Sequence, residues 1–158
     1  MDAISSEALE GLNAAVASLL PDVTSPSVQL IPSVTPTHIK PTGFGGFVGI
    51  NEDPKGEIIG RRLEATALVT ARASNTTVLN DTVTRVTGAF LGADRATLLE
   101  EGFLRVALDD VGPQTVSGSG SSRVVERGLT FKVLYEFLKR PEEPEDVILE
   151  IPTNLDTA

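Results

Sequence analysis

The side chains able to do chemistry are few and scattered. His38 is the only histidine among 158 residues, and there is no cysteine. Thiol catalysis, disulfide scaffolds and cysteine-zinc sites are therefore excluded. Nucleophilic catalysis needs a base beside the nucleophile. Serines are plentiful, but the histidine stands in a proline-rich stretch and no G-x-S-x-G elbow exists. His38 therefore reads as a surface or capping group. Adjacent carboxylates can support acid–base work. The pairs here, Asp109-Asp110, Glu100-Glu101 and Glu142-Glu143, fall at element ends or in turns, where solvated charge is the ordinary state.

Gly43-Phe44-Gly45-Gly46-Phe47-Val48-Gly49 has the look of a phosphate loop, but a G-x-G-x-x-G pattern from Gly43 needs glycine where Val48 stands. It reads instead as a glycine-rich approach to a strand, with Phe47 and Val48 starting the pairing. The oxygen side chains of Asn51-Glu52-Asp53 lack the alternation and closing glutamate of an EF-hand loop. With Pro54 and Gly56 they make a polar turn. No catalytic, cofactor-binding or metal-ligating residue is assigned, and the chain reads as a non-enzyme.

Charge narrows the partners. The net charge is −9, and a polyanion is repelled by such an average field. Arg61-Arg62 and Lys139-Arg140 are single basic pairs, not a footprint for nucleic acid. The first residues are acidic and lack the basic start of a secretion signal. No stretch approaches the roughly 20 apolar residues of a membrane span. These features predict a soluble protein made in a cytoplasm, with no membrane partner and no specific nucleic-acid binding.

The elements that must position these residues are clearest in two alternating runs. Leu129, Phe131, Val133, Tyr135 and Phe137 alternate with Thr130, Lys132 and Glu136, which is a strand with one buried face. Leu134 and Leu138 on the second face predict partial cover there by a helix or another subunit. In residues 61–73, Leu63, Ala65, Ala67, Val69 and Ala71 face one way, and the small alanines let a helix approach closely. Leu79, Val83, Val86 and Phe90 then trace a helical stripe over 78–91, with caps at Asn75 to Thr77 and an end at Gly92. A second short helix spans 94–101, closed by Gly102.

The remainder follows the same rules. Ile4, Ala8, Leu12, Val16 and Leu19 predict an N-terminal helix over 5–20, capped by Ser5 or Ser6. Residues 21–42 carry Pro26, Pro32, Pro36 and Pro41 and read as irregular, with at most an edge strand at 28–31. A strand at 103–109 should pair with 123–138 across a flexible Gly/Ser loop at 110–122. Residues 147–151 predict a last strand, and 152–158 a C-terminal arm. The whole is one domain, 1–158, with its β/α core over 44–151. The fold class is α+β: a mixed, largely antiparallel sheet packed against an N-terminal helix and a central helix pair.

This order resembles the tail terminator family of tailed bacteriophages, which cap the tail tube as a ring and join it to the neck. The resemblance rests on the N-terminal helix, the 61–73 strand running into the 78–91 helix, and the ending Arg127-Gly-Leu-Thr-Phe-Lys-Val-Leu-Tyr-Glu-Phe137. It implies a structural virion protein without catalytic residues or cofactors, self-associating into a hexameric ring with tail-tube and neck or connector proteins as partners. Another neck, head-completion or tube component of a phage or injection system is the nearest alternative. A β-rich ligand-binding module is a third, disfavoured by the scarcity of aromatic residues.

Overall fold

The structure is a computed structural model that describes residues 2–22 and 28–142. It has the predicted α+β class. Helix α1 (Ala3–Leu19) precedes β1 (Gln29–Glu52) and β2 (Lys55–Ala73). Helices α2 (Thr76–Leu91) and α3 (Arg95–Glu100) follow, then β3 (Phe103–Val111), β4 (Thr115–Ser117) and β5 (Val124–Lys139). All strand pairs are antiparallel, in the order β1-β2-β5-β3, with β4 also on β5. The predicted strand at 147–151 and the arm at 152–158 lie outside the described residues.

The two alternating runs become the central strands. Leu63, Ala65, Ala67, Val69 and Ala71 of β2 are buried, as are Leu129, Phe131, Val133 and Tyr135 of β5. Their register places like beside like, Ala67 opposite Phe131 and Val69 opposite Leu129. This face carries α1 and α2. Ala8, Leu12, Ala15 and Val16 of α1 and Val86 and Phe90 of α2 complete one core with it. The alanines leave room for the Phe90 ring to stack on Phe131, centroids 4.4 Å apart. Phe103 meets Tyr135 edge-on. Among the threonines of α2, Thr82 is buried, and its hydroxyl donates to the Val78 carbonyl at 2.8 Å. That bond removes the cost of an unpaired buried hydroxyl.

Three expectations need correction. The first helix begins at Ala3, and its cap is Asp2, whose carboxylate accepts from the Ser5 amide. Ser5 itself is buried in the packed face, since an aspartate one turn earlier serves as well as serine.

The second correction is larger. Residues 29–42 are not irregular: they are the first half of β1, a 24-residue strand. The prolines fit because β1 stands at the edge of the described strands and they share one phase of the ladder. Pro32, Pro36 and Pro41 stand opposite Val69, Ala65 and Arg61, all odd positions of β2. A register shift between Pro36 and His38 adds the one residue that keeps Pro41 in phase. In an antiparallel pair every second residue points its backbone away from the neighbour, so all three rings sit where no ladder donor is needed. The same placement blunts the free edge against pairing with another strand.

Third, the 110–122 loop is mostly structured. β3 runs on to Val111, Gly112 donates to the Gly128 carbonyl at 2.8 Å, and β4 pairs with residues 124–126 of β5. The exposed edge of β5 supplies backbone partners that apolar burial does not. Gly112–Gln114, which join β3 to β4, and the Gly118–Ser122 tip stay outside the strands, the tip with a short 3-10 turn at Gly120–Ser122.

Candidate assembly surfaces

The candidate chemical residues are not brought together. His38 is exposed on β1, opposite Glu64 in the ladder. Asp109 lies 3.6 Å from Lys132 Nζ, and the Glu101 carboxylate accepts from the Ser18 hydroxyl at 3.0 Å. Glu142 is described and Glu143 is not. Among the described residues no group of three or more His, Cys, Asp or Glu is placed to hold a metal. No described helix is long and apolar enough to cross a membrane. Three members of the basic pairs are held in ion pairs, Arg61 to Asp2, Arg62 to Glu136 and Lys139 to Glu7.

Among the described residues four groups titrate away from their ordinary values, each for a local reason. Hydrogen bonds from Ser5, with Arg61 nearby, hold the Asp2 carboxyl low. The Thr97 amide does the same for Asp94, the cap of α3. Burial, then the Glu101 charge, pushes the Tyr135 phenol up. The Glu7 hydrogen bond raises Lys139. Two are caps and one is a helix-to-sheet tie, so these shifts belong to the scaffold.

What the fold does display is surface without cover. The even positions of β2 and β5 form the second face of the sheet, and no described helix packs on it. Ion pairs follow its register: Arg62 faces Glu136 and Arg72 faces Glu126 across neighbouring strands. Between them stand Thr66, half-exposed Leu134 and Leu68, which is 38% exposed. Thr37, Glu64, Arg105 and Lys132 line a hollow there. Of the two kinds of cover expected over Leu134 and Leu138, a helix or another subunit, no described helix provides the first.

The second feature was not legible beforehand. Between Thr42 and Phe47 the β1–β2 register skips four residues, so Gly43–Gly46 stand out from the ladder. Gly43, Gly45 and Gly46 all take positive φ, which only glycine adopts at little cost. Gly46 is tucked beneath the Arg61 guanidinium, and at Gly43 the Phe47 carbonyl oxygen leaves no room for a side chain. The result is a shaped projection carrying Phe44 at 91% exposure. Phe47, Val48 and Ile50 beside it are exposed as well. The sequence signal was present, a phenylalanine between glycines, but it reads equally as the start of a strand.

At the other edge, Leu108 and Val111 of β3, Leu91 at the end of α2 and Leu99 on α3 are also exposed. The architecture is thus a one-sided α+β sandwich with an apolar projection on one edge. No family model matches the chain, and no curated protein matches it either.

Proposed function

We propose that this protein is a structural, ring-forming component of a virion tail, of the tail-terminator kind. The observation that carries the reading is Phe44, a nearly fully exposed aromatic ring held by a glycine-built projection on an edge strand. Contiguous apolar exposure rimmed by polar residues marks interaction sites. The projection has Phe47 and Val48 as neighbours. The bare sheet face offers further area, and the prolines of β1 steer association away from open-ended strand pairing. The order helix, strands, helix pair, strand pair is the one that the family resemblance rests on.

The charge suits the role. A ring at the end of a tail tube must let duplex DNA pass without holding it, and affinity for duplex comes chiefly from cations that neutralise phosphates. A chain of net charge −9, with six of its 13 arginines and lysines tied to carboxylates among the described residues, offers them only weakly. In a gel shift at low salt the protein is expected to leave duplex DNA unretarded, while native mass spectrometry at rising concentration shows a closed oligomer of one size. A stable monomer that binds duplex tightly, with affinity falling as salt rises, would contradict the proposal on both counts.

A further inference from the structure

We infer that two copies of this chain meet head to tail, the β1 edge of one against the β3–α3 edge of the next, with Phe44 seated among Leu91 and Leu99 and Lys40 facing Glu100. The inference rests on the ring reading and names the surfaces that would build it.

The two edges are complementary in charge. Between Asp22 and Glu52 the chain has no acidic residue, and its only basic groups are Lys40 and His38, both exposed on β1. Residues 94–110 carry Asp94, Glu100, Glu101, Asp109 and Asp110 against Arg95 and Arg105. They are complementary in apolar surface too: Phe44 is 91% exposed on one side, and Leu91 and Leu99 are each 45% exposed on the other.

The heights agree. Lys40 stands opposite Arg62, Arg62 opposite Glu136, and the Glu136 amide donates to the Gly102 carbonyl at 2.9 Å. Lys40 and the chain just after Glu100 are therefore at one height on opposite edges, with Lys40 on the bare face beside Arg62 and α3 on the helix-bearing side, so a contact that joins them needs the turn between neighbours that a ring has. The Phe44 projection leaves β1 at Thr42, opposite Gly60, two residues further along, or about 7 Å at the usual strand rise. A head-to-tail contact closes into a ring when its rotation carries no rise, and climbs into a filament otherwise. Level edges favour closure. The contact must be made by side chains, because the outward prolines of β1 cannot extend a ladder.

The absence of native cysteine makes a clean test. In the double variant Phe44→Cys/Leu99→Cys the two thiols sit on opposite edges of a four-strand span, about 14 Å across. A disulfide needs Cα atoms within about 7 Å, so any bond must join two copies. Mild oxidation is expected to give a ladder of covalent oligomers on a non-reducing gel, ending in one ring-sized band. Either single variant should stay largely monomeric. In the uncrosslinked protein, Lys40→Glu should raise the concentration for half-assembly about tenfold, equal to about 1.4 kcal/mol. Adding Glu100→Lys to the same chain should restore it. Efficient dimers from Phe44→Cys alone would show a symmetric contact and overturn the inference. Wild-type rings with no crosslink and no charge effect would overturn it while leaving the ring reading standing. Wild-type protein that is monomeric at every concentration would overturn both.

Discussion

Val69→Asp is expected to unfold this protein or bring it close. Val69 is fully buried at the centre of β2, between Leu129 of β5 and Pro32 of β1. An aspartate there finds no donor and must either stay charged in an apolar core or take up a proton. The cost is about 4 kcal/mol or more, a large share of the 5–15 kcal/mol that holds a typical domain. At roughly 2–4 °C per kcal/mol for a chain of this size, the melting temperature should fall by about 10 °C or more. The neighbouring change Leu68→Asp is the control, because Leu68 points to the uncovered face and is 38% exposed. It should cost about 1 kcal/mol or less. Thermal denaturation of both variants checks the strand's facing. Equal effects at 68 and 69 would mean that the sheet has no uncovered face.

Gly102→Val should be the next most damaging change. Gly102 follows α3 with φ of 97°, a conformation that a β-branched residue adopts only under strain. A Cβ there would stand 2.6 Å from Tyr135 Cε2 and 3.0 Å from the Glu136 carbonyl oxygen. Tyr135 cannot step aside, since Phe103 packs against its ring. Strain and overpacking together should cost about 3 kcal/mol. Gly45→Ala separates the two contributions. Gly45 has a φ of 64° but nothing within 4 Å of its Cβ position, so only the conformational cost, about 1 kcal/mol, should remain. Urea unfolding of the pair measures the difference. A Gly102 variant no worse than the Gly45 variant would show that α3 does not pack where described.

These two changes fall where sequence and structure agree best. The burial of Val69 follows from period-two alternation, which any half-buried strand must show, and the end of α3 follows from its glycine. The stripe of α2 was equally legible, because a helix lying on a sheet must be apolar every three or four residues. The first half of β1 was not. A proline signals a missing donor, and whether the donor is needed depends on which side of the strand has a neighbour. That is settled only when β2 docks on the other side and a one-residue shift after Pro36 keeps all three rings in phase. β4 was hidden in the same way, by a partner edge that exists only after β5 has formed. The Phe44 projection escaped because its meaning lies in exposure, and the sequence states composition alone.

The central claim is that these surfaces serve assembly of a tail ring. Electron microscopy of the purified protein, at rising concentration and in the presence of tail tubes, tests it most directly. The account predicts closed rings of a single diameter, free or seated on tube ends, and their loss in Phe44→Ser, whose exposed site leaves the fold intact. Featureless monomers under every condition, with tube ends left bare, would contradict it.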